Sequence, residues 1–211
     1  MNWDTVTDEF FFELSELARY GKSIPETKRS VLSFTAKLFV PIGFLTPFTV
    51  ELKMMFQQLC LINTSWDGVL EESILRKWRL LLDKLRFLNE IRIPRCYFQG
   101  KAIEIQIHGL SDAFHLAYAA VLYLRSVNAD GRILVRLVAS KSRVAPIKKQ
   151  IVPRLELLGT LLLARLVNKV ISTFMQLRTI NWSDSTTALC WIKNERIWNN
   201  VYNIALKKFE V

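Results

Sequence analysis

The sequence predicts an α+β chain of mixed α/β order: a helical N-terminal part, then three antiparallel strands, a helix, a strand and a helix. Three observations predict it. Apolar residues recur at three-to-four spacing from Lys28 to about Ile91. Beyond "IRIPRCYF" the apolar residues alternate instead. An Asp-Gly pair at Asp130 and Gly131 divides two such runs as a tight turn does. With 211 residues, 51% of them hydrophobic, the chain can build one large or two small cores.

Residues 1–27 read as an acidic entry segment with an apolar patch at Phe10, Phe11 and Phe12 and little structure of its own. Residues 28–95 read as a helical domain. "KRSVLSFTAKLF" is stopped by Pro41, and "LTPFTVELKMMFQQLCLI" places Phe48, Leu52, Met55, Phe56 and Leu59 at three-to-four spacing. A third helix, "GVLEESILRKWRLLLDKLRFLNEI", is capped by Asp67 and buries Ile74, Trp78 and Leu85. From residue 96 to 211 the chain reads as a second domain. "AIEIQIHGLSD", "FHLAYAAVLYLRS" and "ILVRLVAS" are its antiparallel strands, the second also open to a helical reading through its alanines. A helix from Pro153 to about Phe174, a strand "RTINWSD" and a helix "STTALCWIKN" follow.

The charge is +10 overall and uneven. Residues 1–27 carry six acids and two bases, leaving 27 bases against 13 acids in the remainder, which favours a polyanionic partner such as nucleic acid over a merely solvated surface. Cys60, Cys96 and Cys190 form no CxxC or Cys/His pair and read as reduced, mostly buried thiols. Uncharged runs such as 38–50 fall short of the roughly 20 residues a membrane span needs, and the N-terminus is acidic where a signal peptide is basic. A soluble protein inside the cell, cytoplasmic or nuclear, without a membrane partner is expected.

Three acids stand apart. Glu156 sits near the start of a helix that is apolar nearly all round, where an unpartnered carboxylate costs several kcal/mol. First-turn placement beside the helix dipole is its plain structural explanation, worth about 0.3–1 kcal/mol. Asp112 and Asp184 each follow an apolar strand, in "HGLSDA" and "INWSDS". Taken singly, each suits a cap or turn. If the first and fourth strands pair, however, both emerge at one edge, and a crossing helix adds Glu156. Three converging carboxylates need cations between them, and oxygen ligands suit Mg²⁺ or Mn²⁺ in two-metal phosphoryl chemistry. From Gly131 to Leu155 there are seven bases and no acid; Lys141, Arg143, Lys148, Lys149 and Arg154 among them suit a phosphodiester backbone.

At these residues the chain resembles the polyprotein of BEL/Pao-type LTR retrotransposons, a region catalogued as Pao retrotransposon peptidase. "TKRSVLSFTAKLFVPIGFLTPFTVELK", "ASKSRVAPIKKQIVPRLELLGTLLLARL" and "WSDSTTALCWIK" carry the resemblance, in the family's order and over almost the whole chain. The resemblance implies a reverse transcriptase thumb and connection followed by a ribonuclease H-like domain. It implies that Asp112, Glu156 and Asp184 are the first-strand, first-helix and fourth-strand acids holding Mg²⁺ or Mn²⁺, two ions if the site is complete. The implied substrate is the RNA strand of an RNA/DNA hybrid, and the implied partner is the rest of the Pol polyprotein. Phe114, Ala119–Ala120 and Val40 depart from the family's "SDAS", "AYGA" and aspartate-bearing patterns.

Neither Glu195 nor Glu210 matches the motif of the fourth acid, and the polymerase aspartates would precede Met1. The chain is therefore read as a piece cut at both ends, without polymerase chemistry and weak or inactive alone. Two other readings stand beside it. A non-catalytic nucleic-acid-binding remnant would use the bases with Trp191, Trp198 and Tyr202, which otherwise read as core. An aspartic peptidase needs Asp-Thr/Ser-Gly, and "DST" at 184–186 lacks the glycine. His108 and His115, without further His or Cys, read as strand and loop residues rather than metal ligands.

Overall fold

The computed structural model describes residues 1–38, 40–172 and 177–193. It resolves into two compact units, residues 1–41 with 47–96, and residues 42–46 with 97–211. The terminal "NVYNIALKKFEV" helix, Trp198, Tyr202, Glu195, Glu210 and the last turn of the helix expected to reach Phe174 lie outside the described residues.

The first unit contains four helices, α1 (Ser15–Ser23), α2 (Lys28–Lys37), α3 (Thr46–Leu61) and α4 (Glu72–Leu88). Their apolar stripes supply its core, with Val31, Phe34, Leu52, Ile74, Trp78 and Leu85 fully buried. Phe34 meets Trp78 edge to face, ring centroids 5.1 Å apart, the orientation the ring quadrupoles favour. α2 begins at Thr27, whose side-chain oxygen accepts from the Ser30 N–H. Thr27→Ala is expected to cost about 1 kcal/mol, read as a lowered urea midpoint at constant m-value. Asp67 caps nothing: it pairs with Arg29 at 2.7 Å, and α4 begins five residues later, after Glu71.

The acidic entry segment is structured, against expectation. Strands β1 (Asn2–Asp4) and β2 (Glu9–Phe11) join β3 (Arg92–Pro94) in an antiparallel sheet ordered β1-β2-β3. Pattern analysis misses such a sheet because each strand has only three residues. Phe12 and Leu14 are buried, and their burial anchors the segment. The acids meet bases elsewhere in the unit, Asp8 with Arg95 at 2.6 Å and Glu26 with Arg79 at 2.8 Å. These pairs are solvated and contribute little stability, but they consume part of the charge asymmetry that the sequence presents.

The second unit carries β4 (Ala102–Phe114), β5 (Ala117–Asn128), β6 (Ile133–Val144), helix α5 (Val152–Ile171), β7 (Arg178–Trp182) and α6 (Thr186–Lys193). Its sheet runs β6-β5-β4-β7, with consecutive strands antiparallel and β7 parallel to β4. The predicted turn forms at Gly131, whose φ of 83° suits glycine. The alanines of the second run do not make a helix; Ala117 and Ala120 are buried within β5. α5 lies across β4 and β5, closing a core around Ile107, Leu122, Leu124, Leu155, Leu163 and Val167. Gly109 lets the layers approach: a Cβ there would stand 2.5 Å from Asn181 Oδ1 and 2.7 Å from a Leu163 methyl. No helix among the described residues is long and apolar enough to cross a membrane.

Candidate metal centre

Parallel pairing brings the two aspartates together. β4 and β7 are in register to Leu110 opposite Trp182, and each strand places an aspartate two residues further on, Asp112 and Asp184. α5 adds the third acid. Gly159 crosses β4 closely, a Cβ there meeting the Asp112 carbonyl at 3.4 Å, and Glu156 sits one turn earlier on the helix. One carboxylate oxygen from each of Asp112, Glu156 and Asp184 lies within 4.8 Å of the others.

The plain structural roles do not account for these acids. Asp112 lies within β4, which runs on to Phe114, so it ends no strand. Its Oδ1 accepts from the adjacent Ala113 N–H at 2.7 Å. α6 is capped by Ser185, whose Oγ accepts from the Ala188 N–H at 3.2 Å, and Asp184 precedes that cap. Because α5 starts at Val152, Glu156 stands beyond the first turn, which contains no acid. The dipole explanation for Glu156 therefore lapses. Thr186 already belongs to α6, so "DST" forms no peptidase loop.

Glu156 is only 7% exposed. Burial chiefly, then the charges of Asp112 and Asp184, push its carboxyl above the ordinary glutamate range, while the Ala113 backbone N–H offsets part of the effect. Its Oε2 is buried without a hydrogen-bond partner among the described residues. A buried carboxylate with one orphaned oxygen, gathered with two other carboxylates, fits a hard divalent cation, whose ligands are oxygens.

The five expected phosphate contacts are all exposed, and none is ion-paired among the described residues. Lys141 and Arg143 are carried by β6, Lys148 and Lys149 by the following loop, and Arg154 by the first turn of α5. Across the sheet, Lys141 aligns with Ala120 and Ser111, and Arg143 with Tyr118 and Ala113. That register sets both bases two strand spacings, roughly 10 Å, from β4 at the level of Asp112.

Neither histidine joins the acids. His115 lies in the β4–β5 turn, edge-on to Phe114. His108 takes part in a feature that the sequence reading missed. Trp182 donates its indole N–H to His108 Nδ1 at 3.1 Å, the two rings 11° from parallel. An indole nitrogen only donates, so Nδ1 accepts and the proton sits on Nε2, 3.0 Å from Gln106 Oε1. Gln106 Nε2 in turn donates to Glu104 at 2.7 Å. Burial, then the charge of Arg125, hold the His108 imidazole below its ordinary value, in keeping with a neutral ring. The signal was present: 108 and 110 share one face of β4, and the parallel register sets 182 beside them. Cys60, Cys96 and Cys190, expected mostly buried, are exposed.

Residues 27–185 match the family described as Pao retrotransposon-like RNaseH-like domain. No curated protein matches the chain. A solved structure of the foamy viral protease-reverse transcriptase in complex with dsDNA is similar with a TM-score of 0.50 at 14% sequence identity. The match covers 93% of this chain and 39% of that one, a likeness of fold.

Proposed function

Since the chain belongs to the Pao retrotransposon-like RNaseH-like domain family, we propose that it is the ribonuclease H-like segment of a retrotransposon Pol polyprotein, cleaving the RNA strand of an RNA/DNA hybrid with Mg²⁺ or Mn²⁺. The observation that carries this reading is the convergence of three carboxylate oxygens within 4.8 Å, one of them on a buried residue. Asp112, Glu156 and Asp184 hold the cation. When bound, it supplies Lewis-acid polarisation of the scissile phosphate and a water of lowered pKa.

The chain's own groups do the rest. Asp112 and Asp184 are exposed and Glu156 is buried, so the aspartates are the acids open to a substrate and Glu156 sets the depth of the site. Lys141, Arg143, Lys148, Lys149 and Arg154 bind flanking phosphates and set the strand's register without reading bases. The RNA 2′-hydroxyl marks the strand to be cut.

The test is cleavage of end-labelled RNA in a hybrid by the full chain, beside a gel shift at two salt concentrations. Slow RNA-strand cleavage in Mg²⁺, none in chelator, and weaker binding at the higher salt are expected. A hybrid bound salt-dependently in Mg²⁺ but never cut would replace this reading with that of a binding remnant.

A further inference from the structure

We propose that Trp182 and His108 are a positioning pair that sets the place of Asp184 relative to Asp112; this rests on the metal-site reading above. Among the described residues, β7 is a five-residue edge strand, hydrogen-bonded to the sheet through β4 alone. Its ladder with β4 ends at the Leu110–Trp182 pair, two residues short of both aspartates. Beyond that rung Asp184 lies between the end of β7 and α6, whose Ala188 is buried, so the strand's end is one of its two anchors. On the α5 side Asn181 makes no such tie, for its buried Oδ1 has no hydrogen-bond partner among the described residues.

On the opposite face a tie exists. The indole N–H of Trp182 is bonded to His108 Nδ1 at 3.1 Å. His108 is anchored at its other nitrogen by Gln106, Gln106 by Glu104, and Glu104 faces Arg125 of β5 at 3.6 Å. The last side chain of β7 before the site is thus braced through four residues to the two central strands. Trp182 itself is 53% exposed, so core packing does not explain the bond. A side chain that orients a ligand through the backbone changes metal affinity without touching the metal.

The experiment is Mn²⁺ titration of the full chain by calorimetry, with backbone amide exchange of β7 followed in chelator. Trp182→Phe keeps a ring and loses the donor; His108→Phe keeps bulk and loses the acceptor. Both are expected to weaken Mn²⁺ binding about tenfold and to speed exchange at 181–185, with the thermal midpoint in chelator shifting little. His108→Asn restores an oxygen near the Nδ1 position and is expected to bind within about twofold of the wild type.

Equal Mn²⁺ affinity in wild type, Trp182→Phe and His108→Phe overturns the proposal and leaves the metal site standing. So does a loss in His108→Asn as deep as that in His108→Phe, because the acceptor would then not be the cause. A wild-type chain that takes up no Mn²⁺, and behaves like Asp112→Asn, sinks the metal-site reading and this inference with it.

Discussion

Glu156→Gln is expected to leave the fold intact, to raise the Mn²⁺ dissociation constant at least about a hundredfold, roughly 3 kcal/mol, and to abolish hybrid cleavage. Glutamine preserves the shape of the side chain, so α5 keeps its packing against β4 and β5. What changes is charge. A neutral amide offers one oxygen and no negative charge to a cation that Asp112 and Asp184 then hold alone, both on exposed residues. Desolvation gives the substitution a second signature. Removing the charge of a buried carboxylate that faces two other acids is expected to stabilise the metal-free chain by about 1–3 kcal/mol. Calorimetric titration and thermal unfolding in chelator measure the two effects separately. Unchanged Mn²⁺ uptake would show that Glu156 is a buried acid without a ligand's role.

What was readable in the sequence follows from the length scale of each signal. Long periodic runs gave α3, α4, α5 and the three long strands, because burial of one face repeats over many residues. Asp112, Glu156 and Asp184 stood out as acids at the margins of apolar runs, where charge is costly. Their meeting required two inferences, the pairing of β4 with β7 and the crossing of β4 by α5. Short-range features were lost. β1, β2 and β3 contain too few residues for alternation to register, and β1 and β2 pair with partners 5 to 85 residues away. Asp67 is a plausible cap in isolation, yet Arg29, 38 residues earlier, claims its carboxylate.

The position of Glu156 within its helix was misjudged for a related reason. Pro153 fits the first turn of a helix wherever that turn begins by one or two residues, and a single residue decides whether an acid benefits from the dipole. The Trp182–His108 bond was missed because it joins residues 74 apart, and only the parallel register, not either run alone, sets them side by side. Elements follow from local pattern; contacts that tune a site follow from register, which a single sequence specifies only through pairing.

Mg²⁺ is expected to invert the pH dependence of the contribution that Glu156 makes to stability. In chelator, Glu156 has a folded-state pKa above its ordinary value of 4.5, so the folded chain binds that proton more tightly than the unfolded chain does. Its contribution to stability is therefore fully present below pH 4.5 and is lost as pH rises through the folded value. His108, with its pKa lowered from 6.5, runs the other way: its contribution is lost as pH falls below 6.5. Comparing wild type with Glu156→Gln removes the histidine from the difference. With Mg²⁺ at a hundredfold excess over Kd, the folded chain gains about 2.7 kcal/mol, a rise in Tm on the order of 10 °C. Because the cation binds the ionised carboxylate, that gain grows with pH and shrinks as protons compete for Glu156. Thermal melts from pH 4.5 to 8 measure the balance. Relative to Glu156→Gln, wild-type stability should fall with pH in chelator and rise with pH in Mg²⁺. Parallel curves in the two conditions would mean that proton and cation do not share this carboxylate.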